Sequence, residues 1–407
     1  MLYNAYEMQR GWLAGAGAAA SMGASWLSNP ANPWHYMGMG EIAGAALEVF
    51  AHATAPRGKP DFGLDSTLID GKTVAVSEAV EARKPFGQLK HFVREGVAAG
   101  DPRVLVVAPM SGHFATLLRG TVERLLPGHD VWITDWRDAK YAPVEDGRFD
   151  LDDYIDYVQD WLSHIGPGAH IVAVCQPSVP VYAAVALMSA AKHPALPATL
   201  TMMGGPVDTR KAPTAVNTLA TKRPFAWFEQ NVICTVPAIY PGQGRRVYPG
   251  FLQLTGFMSM NLGNHMTSHW ELFKHLVEGD DEEADSTKAF YDEYRSVCDM
   301  TAEYYLQTIT TVFQGHLLPK GEMMHRGVRV DPGAITDVAL LAVEGERDDI
   351  SGLGQTKAAL DLAVNLPESK KAYHMAAGAG HYGIFNGRKW REQIAPVVEQ
   401  FMRANGG

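Results

Sequence analysis

Apolar residues along this chain fall into two regular patterns. Short uninterrupted runs occur at Val104–Ala108, Val131–Thr134, His170–Val174, Ala198–Met203, Val338–Val343 and Lys371–Met375, with Gly, Pro or Asp close behind them. Runs of that length predict strands buried on both faces, as in a parallel sheet. Between them apolar positions recur at helical spacing, as over Leu151–Ile165 and Val179–Lys192, and a last helix is expected over Arg388–Arg403. Such alternation predicts the α/β class, a mainly parallel central sheet with helices on both faces.

The alternation fails in two places. Residues 1–65 are rich in Ala, Gly, Met and Trp, end in the polar passage Thr54–Pro60, and are expected to form an N-terminal extension. Residues 206–335 carry Pro, Met and aromatic side chains, among them Trp227, Phe251, Phe257 and Trp270. An insertion of this length between two sheet strands predicts a cap over the active edge of the sheet. The core is then residues 66–205 and 336–407. The acidic run Asp280–Glu283 reads as solvated surface. Leu13–Trp26 is small and apolar enough to imitate a secretion leader. However, Glu7 precedes Arg10 and glycines dilute the stretch, so a helix or loop packed on the main domain is expected instead. No run approaches the roughly 20 apolar residues of a membrane span.

With 407 residues, 46% of them hydrophobic and 20% charged, the chain can bury one elaborated domain or two smaller ones. A net charge of −10 argues against nucleic acid as a partner, since tracking phosphates needs a basic face. The three cysteines, Cys175, Cys234 and Cys298, are too widely spaced for a metal knuckle. Their low, odd number suits a reducing compartment. No metal and no cofactor is expected, because no His/Asp/Glu cluster has ligand spacing.

Chemistry gathers where strands end, the edge at which open α/β sheets bind ligands. Cys175 follows the run His170–Val174 and precedes a helix, within Ala173-Val-Cys-Gln-Pro177. That is the place of a nucleophile elbow, normally Gly-x-Ser-x-Gly. Here Ala replaces the first Gly, Cys the Ser, and Pro the second Gly. Ala173 is still small, and Pro177 is tolerated in a first helical turn, where its missing N–H has no partner to lose. A helix N-terminus also favours the thiolate form of a thiol. Taken alone, Cys175 could equally be a buried small apolar residue. Its position on the elbow tips the reading towards a nucleophile.

Beyond the run ending at Val343 comes Gly345-Glu-Arg-Asp348, the loop on which such folds place the carboxylate that orients a histidine. Asp349 is adjacent, but the spacing from the Gly345 turn favours Asp348; either could instead cap the next helix. His381, in Gly378-Ala-Gly-His-Tyr-Gly383, completes the chain order nucleophile, acid, base. The loop Ala108-Pro-Met-Ser-Gly-His113 nominates the Met110 or Ser111 N–H, with that of Gln176, as an oxyanion hole. His113 is read equally as a substrate contact and as a structural histidine. Read from residues alone, this is an α/β-hydrolase fold performing ester or acyl transfer by a cysteine.

The motifs extend over the whole chain. They include Met1-Leu-Tyr3 with Gln9-Arg10, Ser28-Asn-Pro30, Lys84-Pro-Phe86, Asp135-Trp-Arg137, Val174-Cys-Gln-Pro177, Val343-Glu-Gly-Glu-Arg-Asp-Asp349 and Gly380-His-Tyr-Gly-Ile-Phe-Asn-Gly387. In these the chain resembles the intracellular polyhydroxyalkanoate (poly-3-hydroxybutyrate) depolymerases. The resemblance implies Cys175 as nucleophile with Asp348 and His381 as its partners. It also implies a cytoplasmic enzyme on storage granules, releasing 3-hydroxybutyrate units or oligomers from a polyester. An apolar polymer would suit a Met- and aromatic-rich cap, with Trp227, Phe251 and Phe257 as its guides. A polyhydroxyalkanoate synthase is the nearest rival, but resembles Gly-x-Cys-x-Gly where this chain has Gln176-Pro177. A non-catalytic granule-binding protein is the other, opposed by the presence of all three site residues. Ser178 falls inside the helix, which disfavours a serine esterase. The acyl acceptor (water or coenzyme A) and assembly into a homo-oligomer stay open.

Overall fold

The computed structural model describes residues 1–406 except 30, 34–38, 99, 261 and 279. Its centre is a nine-stranded sheet. In chain order the strands are β1 (Ser66–Ile69), β2 (Lys72–Lys84), β3 (Gly87–Arg94), β4 (Arg103–Val107), β5 (Asp130–Trp136), β6 (His170–Val174) and β7 (Thr199–Met203). Three short strand pairings intervene, formed by β8 (Cys234–Thr235), β9 (Arg246–Tyr248), β10 (Met300–Thr301), β11 (Met324–His325) and β12 (Val328–Arg329). The sheet then resumes with β13 (Ala339–Gly345) and β14 (Lys371–Ala376), in the spatial order β1-β2-β3-β5-β4-β6-β7-β13-β14. From β5 to β14 all neighbours are parallel, whereas β1, β2, β3 and β5 pair antiparallel. This order, with an antiparallel strand beside the parallel set, is the α/β-hydrolase fold.

The parallel strands are buried because every position faces a covered side. All five residues of β6 and of β7 are buried, as are all seven of β13. Helix α4 (Leu151–Ile165) shows how the covering helices form, burying Leu151, Tyr154, Ile155, Val158, Trp161, Leu162 and Ile165 along one face. A reciprocal capping box between Asp150 and Asp153 starts it, satisfying backbone donors that the first turn leaves free. Helix α5 (Ser178–Ala190) lies directly behind β6 and is buried almost all round.

The antiparallel strands β1–β3 were not among the apolar runs. Strand β2 alternates and is largely exposed, so it offers no continuous signature. Its partner β3 is half-buried and bridges β2 to β5.

The first residues form two long helices, α1 (Leu2–Leu27) and α2 (Met39–Thr54). Their small residues are there for close approach. A Cβ at Gly17 would meet the Thr54 hydroxyl at 2.3 Å, and one at Gly23 would meet Leu47 at 3.0 Å. The leader-like stretch Leu13–Trp26 thus forms the second half of α1, which packs on α2. Among the described residues no helix is long and apolar enough to cross a membrane.

Between β7 and β13 the chain builds helices α8 (Gly250–Met260), α9 (Leu262–Glu278), α10 (Asp281–Tyr294) and α11 (Ala302–Thr308), besides shorter elements. Within the acidic run, Asp280 caps α10 and holds His275 at 3.1 Å.

The elbow after β6 is clamped by its neighbours. A Cβ at Gly205 would sit 2.1 Å from Ser178 Oγ and 3.0 Å from the Cys175 carbonyl. Gly205→Ala is therefore expected to lower stability by about 1–3 kcal/mol, an overpacking cost, read from urea unfolding midpoints. An unchanged midpoint would mean that the elbow is not tightly packed.

Candidate active site

Cys175 occupies the bend between β6 and α5 with φ = +68°, a left-handed conformation that few side chains adopt. Three contacts over-determine it. Its N–H donates to Met203 O at 2.7 Å, its carbonyl accepts from Ser178 N at 3.0 Å, and Gly205 leaves room beside it. Strain of this kind survives only where surrounding packing enforces it. Ser178 is fully buried with its hydroxyl turned back to Ala173 O at 3.5 Å. Pro177 stands at the N-cap rather than inside the first turn.

Asp348 and His381 meet beside this bend. His381 Nδ1 lies 2.8 Å from Asp348 Oδ2, and the Asp348 side chain is wholly shielded from solvent. The other carboxylate oxygen accepts from Ile350 N at 2.9 Å and Ser351 N at 2.8 Å, which fixes its direction. Asp349 is exposed and does not hold the ring. Nδ1 is committed to Asp348, and Cys175 is the other group that acts on the ring. Burial alone would push His381 towards neutrality. The negative charges of Cys175 and Asp348, with hydrogen bonds to both, outweigh it and raise its pKa well above 6.5. Gly204 (φ = +60°) makes this approach feasible, since a Cβ there would lie 3.2 Å from both Asp348 Oδ2 and His381 Cε1.

The loop after β4 runs alongside. Met110 is buried, whereas Ser111 and Gln176 are half-buried. Among the described residues none of their N–H groups donates to a backbone carbonyl outside regular elements. His113 is fully buried, contacts Tyr294 O through Nε2 at 3.0 Å, and is pushed down to about 4 by burial. Burial therefore favours its neutral form.

Several groups around the site carried no sequence signal of function. Glu344, buried at the end of β13, accepts from Thr356 N, Lys357 N, Gly354 N and Tyr373 Oη, all at 2.8–2.9 Å. It thereby ties down the loop that carries Asp348. Tyr154 and Tyr304 are fully buried and stacked at 5.5 Å, and Tyr154 reaches Ala108 O at 3.3 Å. Burial foremost, and then the charge of Cys175 among other groups, raises Tyr154, Tyr304 and Tyr382. All three stay protonated. Tyr382 follows His381 directly, so adjacency was a usable clue; Tyr304, far off in the chain, gave none.

Two of the aromatic residues expected to guide an apolar polymer have ring partners within the chain. Phe251 stacks on Tyr6 at 3.8 Å and so anchors α1, while Trp227 packs on Phe228 beneath Arg223. The side chain of Phe257 lies outside the described residues.

Comparison with known proteins places the chain more narrowly. Residues 204–406, which contain Asp348 and His381 but not Cys175, match the family described as "PHB de-polymerase C-terminus". No curated protein sequence matches. Similar solved structures include 2-hydroxy-6-oxo-6-phenylhexa-2,4-dienoate hydrolase from Rhodococcus sp. strain RHA1, at 13% identity and TM-score 0.45, covering 81% of this chain and 100% of that one. A thermophilic esterase from Thermogutta terrifontis is 13% identical with TM-score 0.43, covering 82% and 99%. DcsB in complex with its substrate analogue is 15% identical with TM-score 0.46, also covering 82% and 99%. The fold assignment rests on the strand order given above. Taken with the motifs and the fold, the family match makes this chain a member of the poly-3-hydroxybutyrate depolymerase family and an ester hydrolase.

Proposed function

We propose that the protein cleaves ester bonds of polyhydroxyalkanoate, poly-3-hydroxybutyrate in the first place, through a Cys175–His381–Asp348 triad. The observation that carries this reading is the imidazole of His381, held by a shielded carboxylate, with the Cys175 thiol on a left-handed elbow among the groups that raise its pKa. Because its surroundings raise its pKa, His381 is suited to take the proton of the Cys175 thiol. The thiolate attacks the ester carbonyl, and the oxyanion is held by the Gln176 N–H with that of Met110 or Ser111. The imidazolium gives its proton to the departing alkoxide, leaving a thioester on Cys175. His381 then takes a proton from water as it attacks the thioester; a free carboxyl group leaves and the thiolate returns. Asp348 keeps the ring in the tautomer and orientation both steps need.

In the same reading, residues 1–65 are an extension, 66–205 with 336–407 the catalytic core, and 206–335 a cap. What supports a cap is Tyr294, the last residue of α10, which touches Tyr382 beside the site at a ring separation of 5.9 Å. The enzyme is placed in the cytoplasm on storage granules, with 3-hydroxybutyrate units or oligomers as products.

Cys175→Ala is expected to abolish release of 3-hydroxybutyrate from amorphous granules while the unfolding midpoint stays near that of the parent. Ester cleavage surviving that change would remove the nucleophile from the mechanism. A parallel incubation with hydroxyacyl-CoA separates the synthase reading, for which polymer would grow and granules persist.

The pH dependence has a definite sign. The His381 pKa is raised in the folded protein, so its protonated form is complete below about 6.5 and is lost as pH rises through the higher folded value. An alkaline limb in kcat/KM well above 6.5 is expected from loss of the general acid. Asp348→Asn removes one of the anions that raise the group. The limb should then move to lower pH, and kcat should fall by about 10²–10⁴-fold. A limb unmoved by Asp348→Asn would break the link between these two residues.

A further inference from the structure

Helix α1 turns its large apolar side chains outward. Met8, Trp12, Gly15, Ala19, Met22 and Trp26 recur at alternating steps of four and three, which places them on one face of a helix. All six are exposed. Met8 is 76% exposed, Trp12 82%, Met22 69% and Trp26 57%. The other face, with Gly17, Ala20 and Ala24, is the buried one. At the helical rise, the stripe from Met8 to Trp26 is about 27 Å long.

Charge is arranged in the reverse sense. Residues 11–40 contain no Asp, Glu, Lys or Arg, in a chain of which 20% is charged. The charged side chains that α1 and α2 do hold are mostly engaged with the rest of the molecule. Arg10 pairs with Glu7 at 3.1 Å and donates to Tyr240 Oη at 3.2 Å. Glu48 pairs with Lys288 of α10 at 2.5 Å, and His52 lies 2.9 Å from Asp292 of the same helix. Glu41, in the first turn of α2, is the exposed exception. A helix that only packs on its own domain shows the opposite pattern, and a continuous exposed apolar face marks an interaction surface.

Helix α10 carries this hairpin to the triad. Asp292 also pairs with Arg57, just after α2, at 2.6 Å, and Tyr294, two residues on, touches Tyr382 beside His381.

Charge selects the occupant of the stripe. Anionic membranes attract helices with Lys and Arg along their polar face, whereas Arg10 is engaged by Glu7 and Tyr240 and the net charge is −10. Protein interfaces are rimmed by polar and charged groups, and the stripe has no charged side chain to offer. An aliphatic polyester is uncharged, and its ester oxygens only accept hydrogen bonds. The stripe complements it, with apolar bodies, no charge and, in Trp12 and Trp26, indole N–H groups that only donate.

We infer that the Met8–Trp26 face of α1 docks the enzyme on the surface of its solid polyester substrate, with Trp12 and Trp26 as anchors. The identity of the polymer rests on the ester-cleaving reading.

Sedimentation of the full chain with protein-free amorphous poly-3-hydroxybutyrate particles tests it, with Cys175→Ala present throughout so that cleavage does not erode the surface. That parent should bind saturably, and no more weakly as salt is raised to about 1 M. Trp12→Glu with Trp26→Glu should raise the half-saturating protein concentration at least about tenfold. Leu68→Glu with Val364→Glu puts the same charges on apolar side chains exposed elsewhere, and should leave binding unchanged. Matching unfolding midpoints report that the variants are folded. The proposal is overturned if the parent does not bind, if the tryptophan variant binds like the parent, or if both pairs of changes weaken binding equally. Tighter binding to phosphatidylserine vesicles than to the particles also overturns it, as does a dimer that the tryptophan changes split while particle binding persists. Failure of the ester-cleaving reading shows separately, as no cleavage of a soluble 3-hydroxybutyrate ester by the chain with Cys175 intact.

Discussion

A single bend in the backbone governs the rest of this molecule. At Cys175 the chain turns from β6 into α5 through a left-handed conformation, which side chains other than glycine normally avoid. The turn is held by the Cys175 N–H on Met203 O, by the Ser178 N–H on the Cys175 carbonyl, and by a glycine at 205 where any Cβ would collide. Strands β6 and β7 must therefore be in register before the thiol can stand clear of the helix. Because β7 also pairs with β13, the same register sets where Gly345 ends and where the Asp348 loop begins.

Electrostatics follow from that geometry. A fully buried imidazole would ordinarily lose its proton, and His113 does. His381 is also buried but behaves oppositely, because Cys175 and Asp348 both act on it. The contrast between two histidines in one protein isolates the cause: proximity to Cys175 and Asp348. Around them Tyr154, Tyr304 and Tyr382 remain neutral hydroxyls, so the pair is surrounded by dipoles rather than by competing charges.

How much of this was legible in the sequence depended on whether a feature was local. The runs His170–Val174 and Val338–Val343 announced β6 and β13 because strands buried on both faces have apolar side chains throughout. Cys175, Asp348 and His381 each sit within a few residues of such a run or a glycine turn, so strand ends located them. Strands β1–β3 escaped because an exposed antiparallel strand alternates weakly, and β2 carries a register shift between Val80 and Ala82. Residues 1–65 resembled an undifferentiated extension because their glycines and alanines serve helix against helix, a pairing that no single-helix pattern reveals. Glu344 was visible only as the end of a strand. Its role comes from four donors contributed by Gly354, Thr356, Lys357 and Tyr373, residues that only the fold brings round it.

The same non-local logic joins the two ends of the molecule over the active edge. Asp299, almost fully buried, accepts from the Tyr3 hydroxyl at 2.6 Å and from Gly250 N at 2.8 Å, while its own N–H donates to Asp138 at 3.1 Å. One residue earlier, Cys298 N donates to Gly112 O at 2.8 Å, in the loop after β4. Burial, with Asp138 close by, raises Asp299 to about 7, so this junction is costly to hold as a charge and is stabilised by its donors and by Lys140. The family match begins at residue 204, yet its Asp299 is completed by Tyr3 and Asp138 and its His381 by Cys175. The first half of the chain is thus no separable appendage. It supplies the thiol, the loop beside it and the aromatic hydroxyl that locks the second half in place.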